Sequence, residues 1–176
     1  MNNQSVVPVL AGIFKIPAQF LNLASSCFFN RLQNKAQKRN LVLLDAQKWH
    51  LTLIHQSFLK ALSKIVKKKK AELILPSFPN LKFLNGQDNG EEVRMVMDVN
   101  PSNKEIRETL RLVLCYADQV ALQKYVAEFC QLNQVELDNF EKSRIFHISF
   151  ANRTGLPGDS VRWQKNNLKK NTQTAL

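Results

Sequence analysis

Two stretches far apart in the chain repeat one local pattern: WHLTLIH, Trp49 to His55, and RIFHISFA, Arg144 to Ala151. Each contains an apolar residue, a histidine, an apolar residue, a hydroxyl residue and an apolar residue. Side chains of a β-strand alternate between faces, so this spacing predicts two strands, each apolar on one face and polar on the other. His50 and Thr52 then share a face while Trp49, Leu51 and Leu53 enter a core. In the second copy His147 and Ser149 share a face, backed by Phe146, Ile148 and Phe150. A half-buried strand with one polar histidine accounts for either copy alone. The chain has only three histidines, however, and two of them occupy the same place in the pattern.

The 176 residues suffice for one domain with a substantial core, and an apolar fraction of 44% is that of a globular chain. Residues 1–163 are read as that domain and 164–176, polar, basic and without periodicity, as a disordered tail. Lysine and arginine outnumber the acids by 25 to 14, a formal charge of +11 that favours a polyanionic partner, with nucleic acid foremost. Cys27, Cys115 and Cys130 lack CxxC spacing and read as reduced core residues, as in an intracellular, cytoplasmic protein. The apolar run Val6–Phe14 has no basic residue before it and meets Lys15 early, so export is not expected. No apolar run reaches spanning length, so no membrane partner is expected.

Along the chain, a strand is expected over Val7–Lys15. Phe20, Leu21, Ala24, Cys27, Phe28 and Leu32 have the spacing of an amphipathic helix. LVLL, a turn at Asp45–Lys48 and the first histidine strand follow, then a helix opened by Ser57 and buried through Phe58, Ala61, Leu62, Ile65 and Val66. Lys67–Lys70 fit a solvated helix C-terminus. ELIL and LKFL read as short strands, with a hairpin through LNGQDNG to VRMVMDV. NPSNKE resembles a capping box that opens the longest helix, carried by Ile106, Leu110, Val113, Leu114, Ala117, Ala121, Tyr125 and Phe129. The β-prone run LRLVLCY competes with that helix. RTGLPGDS is turn chemistry. The resulting expectation is an α+β domain of two related lobes, with two small antiparallel sheets and flanking helices bringing the motifs together around a central cleft.

Two imidazoles and two hydroxyls in a basic protein suit phosphodiester chemistry. A neutral histidine takes a proton from the attacking water or ribose hydroxyl, and a protonated one gives a proton to the leaving oxygen. Thr52 and Ser149 then donate hydrogen bonds to non-bridging phosphate oxygens. Which of His50 and His147 is acid and which is base stays open. No metal is expected: His50 and His55, five apart on a strand, face opposite ways, and no clustered ligands accompany them. The chain lacks GxxxxGK[ST], GxGxxG and GxSxG motifs, so no nucleotide cofactor or acyl-hydrolase site is indicated. Trp49, Phe146 and Trp163 are candidates to stack a base, although strand phase sends the first two to the core.

The pair His50-Leu51-Thr52-Leu53 and His147-Ile148-Ser149-Phe150 resembles the duplicated His-x-Thr/Ser-x signature of the two-histidine phosphoesterase superfamily. The similarity in element order spans about Val7 to Ser160. This resemblance implies a metal-independent, cofactor-free hydrolase with His50 and His147 catalytic and with Thr52 and Ser149 on the phosphate. Its substrates would be RNA ends, 2',3'-cyclic phosphates, or 2'-5' and 3'-5' linked oligonucleotides. Within the superfamily the second motif looks like RNA 3'-end-trimming phosphodiesterases, the compact chain like bacterial and archaeal cyclic phosphodiesterases. FANRTGLPGDSV is similar to phage and viral members that degrade cyclic or 2'-5' oligonucleotide immune signals. The expected partner is an RNA or small, even cyclic, oligonucleotide bound to a monomer. Competing readings are an inactive basic RNA-binding module, which leaves the paired hydroxyls unexplained, and a structural protein, which makes the repetition a coincidence.

Overall fold

A computed structural model describes residues 14–17, 26–55, 58, 62, 64, 74–85, 88–100, 102–137 and 139–161. The α+β class holds: among the described residues six strands form one sheet with helices packed on one face. The strands are β1 (Phe14–Pro17), β2 (Val42–Leu43), β3 (His50–Ile54), β4 (Glu92–Val99), β5 (Ile106–Val113) and β6 (His147–Asn152). The sheet runs β1-β3-β6-β5-β4, β2 pairs with β6 as well, and every pairing is antiparallel. In place of two separate sheets, two ladders meet along β3 and β6, where Leu51 pairs with Ile148.

Helices α1 (Ser26–Gln37) and α2 (Tyr116–Leu132) cover one face of this sheet. From α1, Leu32 and Ala36 enter the core, and from α2 Leu122, Val126 and Phe129 do so. They meet Leu51, Leu53, Leu110, Leu112, Ile148 and Phe150 from the strands, together with Trp49 and Phe146. Trp49 stacks on Phe29 of α1 at 5.9 Å and meets the edge of Phe150 at 6.2 Å, so the residue before His50 is wedged between layers. The expected phase of both histidine strands is therefore observed. Cys115 and Cys130 are buried, while the Cys27 side chain lies outside the description.

Further sequence expectations fail. NPSNKE does not cap a helix. The Asn100 and Asn103 side chains accept the Ser102 and Glu105 amides and Lys104 takes a positive φ of 60°, which builds the β4–β5 hairpin turn. The segment Ile106–Val113 is β5, and the long helix starts only at Tyr116. LKFL is not a strand either: Lys82–Asn85 make a 3-10 turn, because the buried Asp118 carboxylate accepts both the Lys82 and Phe83 amides at 2.8 Å. Residues 74 and 75 of ELIL have no strand pairing. The start of the first expected strand, most of the Ser57 helix, Lys67–Lys70, Trp163 and the tail lie outside the described residues.

Candidate active site

An antiparallel pair registered at Leu51 and Ile148 sets His50 across from Ser149 and Thr52 across from His147. Residues directly opposite on neighbouring strands share a face, with Cβ atoms about 4.5–5.5 Å apart. The two motifs are thus crossed, histidine against hydroxyl on both sides, on the face away from the helices. All four side chains are half-buried, while Leu51, Leu53, Ile148 and Phe150 behind them are buried. The structure brings together every site residue expected from the sequence. His55 does not join them; it falls past the end of β3, where its carbonyl accepts the Phe58 amide.

The two imidazoles are oriented alike. His50 Nδ1 lies 2.8 Å from the Lys48 carbonyl and His147 Nδ1 lies 3.0 Å from the Ile145 carbonyl, in each case two residues back along the chain. A carbonyl only accepts, so in both rings Nδ1 carries the hydrogen and Nε2 holds the exchangeable position. The histidine backbones are held from behind. Trp49 Nε1 donates to the Leu44 carbonyl, and Gln119 of α2 clamps Phe146 through both its amide and its carbonyl, at 2.8 and 2.7 Å. Buried Arg144 donates to the Leu53 carbonyl on β3 and lies over the Phe146 ring, tying the two histidine strands together.

Burial pushes the His147 imidazole well below its ordinary value, to about 3. The charge of Arg111 pushes the same way, the Ile145 carbonyl opposes it, and Arg144 and His50 add smaller depressions. His147 is accordingly neutral at pH 7, a proton acceptor at Nε2.

Arg111 was hidden by the helical reading of its segment. On β5 it stands opposite Ser149, and Val113 opposite His147, so β5 extends the histidine face. The signal lay in Arg107, Thr109 and Arg111 alternating with Leu110, Leu112 and Leu114. Between Leu110 and Arg111 the register slips by one residue, which sends both Phe150 and Ala151 into the core and returns Asn152 to the histidine face beside Thr109.

Asn152 organises the turn that follows. Fully buried, it accepts the Thr154 and Gly155 amides and donates to the Leu156 carbonyl and Ser160 Oγ. The turn chemistry expected of RTGLPGDS is thereby confirmed, with Thr154 Oγ1 bonded to Asp159 at 2.6 Å. It returns the chain over β5, where the Val161 amide donates to Thr109 Oγ1 and its carbonyl accepts from Arg111 Nη2, both at 2.7 Å.

Other polar features lie apart from this face. Asn30, Arg31, Asn34 and Lys35 of α1, with Lys38 just beyond it, line a concavity of about 450 Å³ on the helix layer. Among the described residues Glu91, Cys115 and Asp118 bring ligand-type atoms within 4.8 Å of one another, buried and without any member of the histidine pair. Among those residues, too, no helix is long and apolar enough to cross a membrane. Comparison of the chain with known protein families, with curated proteins and with solved structures finds no match in any of the three.

Proposed function

We propose that the protein is a phosphodiesterase of the two-histidine phosphoesterase type, acting on RNA ends or small oligonucleotides without need of a metal. One observation carries this reading: the crossed placement of two histidine-hydroxyl pairs on adjacent strands, with Nδ1 of each ring held by a backbone carbonyl. Such a pair supplies a proton acceptor and a proton donor on opposite sides of one phosphate, flanked by two hydroxyl donors. His147, neutral in the free protein, acts as base: its Nε2 takes the proton of the attacking water or ribose hydroxyl. His50, protonated, delivers a proton to the leaving oxygen, and Thr52 and Ser149 hold the non-bridging oxygens as charge builds. A single antiparallel sheet with the pair at its middle supports this reading, and the basic surface draws in the polyanion.

The test is turnover in excess EDTA of an RNA ending in a 2',3'-cyclic phosphate, of linear 2'-5' and 3'-5' oligoadenylates, and of cyclic dinucleotides. Wild type, His50→Ala and His147→Ala are compared. Chelator-resistant cleavage that falls by about 10²-fold or more in both variants is expected, the loss of a general acid or base. The preferred substrate then decides between RNA-end processing and destruction of an oligonucleotide signal. Absence of cleavage across the set, with RNA binding retained, would leave the inactive binding module.

A further inference from the structure

Arg111 occupies the middle of the histidine face with 6% of its surface exposed. A buried guanidinium ordinarily meets a carboxylate, because an uncompensated charge away from water is costly. Here its bond goes to the neutral Val161 carbonyl, and its Nε has no hydrogen-bond partner among the described residues. Its cross-strand neighbours on this face are Ser149 on one side and, on the other, a second cation, Arg94. Like charges placed directly opposite are destabilising. Arg94 turns outward to Glu92 of its own strand at 2.7 Å. Asp98, whose charge supports Arg111, is taken by both oxygens by Arg107, at 2.8 and 2.6 Å. Of the residues outside the description, only Glu72 and Asp138 are acidic.

We propose that Arg111 is the anion anchor of the histidine site: its missing counter-charge is a non-bridging oxygen of the substrate phosphate, held jointly with Ser149 across the strand. The identity of the anion rests on the phosphodiesterase reading; the need for one rests on the burial and partners of Arg111. An arginine suits the role because its charge persists when buried and its donors are fixed in a plane, matching two phosphate oxygens. Each hydroxyl of the pair has a basic residue opposite it on the next strand, Arg111 for Ser149 and Lys15 for Thr52.

The experiment separates the anchor from the chemistry. Inorganic phosphate is titrated into the labelled full chain at pH 7, and the Arg111 Nε–H and the His50 and His147 ring signals are followed by NMR. Saturable shifts of Arg111 Nε–H with phosphate are expected. An unchanged signal, or the same shift with chloride at equal ionic strength, overturns the proposal without recourse to any variant. Arg111→Gln is expected to weaken phosphate binding by about 10- to 100-fold, with Arg111→Lys between it and wild type. Arg94→Gln, an exposed control, is expected to change it far less. A folded Arg111→Gln that binds phosphate as wild type does also overturns it. If the substrates above are cleaved while Arg111 ignores phosphate, the phosphodiesterase reading stands and the anchor falls. If Arg111 engages phosphate and nothing is cleaved, the anchor stands and the phosphodiesterase reading falls.

Discussion

The carbonyl of Ile145 decides which nitrogen of His147 is available, and the surroundings of that ring decide its charge. Because burial and the neighbouring cations hold the folded-state value below the ordinary 6.5, the neutral ring's contribution to stability is fully present above about 6.5. It is lost progressively as the pH falls from about 6.5 toward 3, since the unfolded chain then binds a proton that the folded one refuses. Thermal midpoints measured across that window should drop more steeply for wild type than for His147→Gln, and parallel curves would count against this account. In kinetics, kcat/KM reports the free protein, so its acid limb should lie well below pH 6.5, while the limb of kcat should sit higher once a phosphate anion neighbours the ring. Removing one hydroxyl donor, as in Thr52→Ala or Ser149→Ala, should lower kcat by about 10²-fold with little loss of stability. At this scale the sequence was most informative. The shared face of His50 and Thr52 and of His147 and Ser149 was readable from a period of two, because alternation fixes face. Arg111 was not readable, because its role depends on which strand lies beside Ser149, and no local pattern states that.

Strand β5 shows why one element was misread. Ile106, Leu110, Val113, Leu114 and Ala117 are spaced as a helix face, yet Leu110, Leu112 and Leu114 also alternate, and tertiary pairing with β4 and β6 favours the strand. The LKFL segment failed for a different reason: its backbone donors are taken by Asp118, a residue distant in sequence. By contrast, the turn after β6 was legible because asparagine, glycine and proline act locally. Its energetics centre on Asn152, and Asn152→Ala should cost about 2–3 kcal/mol by leaving buried backbone groups unpaired. Because the same turn delivers Val161 to Thr109 and Arg111, hydrogen exchange at the Val161 amide should accelerate in that variant beyond what its lower stability explains. Gly155 is constrained twice, by a φ of 76° and by Val42, whose Cγ1 would lie 2.8 Å from an added Cβ. Gly155→Ala should therefore destabilise by about 1–3 kcal/mol in denaturant unfolding.

The whole molecule is a basic body with its helices on one side of a sheet and its histidine pair on the other. The formal charge of +11 sets an expectation about ligands at a distance. Between about 50 and 200 mM salt, KM for an oligonucleotide should rise steeply, whereas KM for a mononucleoside cyclic phosphate should change little, as counterion release scales with phosphates engaged. Equal slopes would confine electrostatics to the site itself. The overall class, α+β and antiparallel, followed from the periodicities; the fusion of two expected sheets into one did not, since the joint is a single registered pair. That joint, Leu51 against Ile148, connects strands separated by more than half of the chain. A nascent polypeptide carries the first histidine early and waits for the second, with Gln119 and the turn through Val161 still to come. The histidine face is therefore not assembled on the ribosome until β6 has emerged, so synthesis itself sets when its two halves can join.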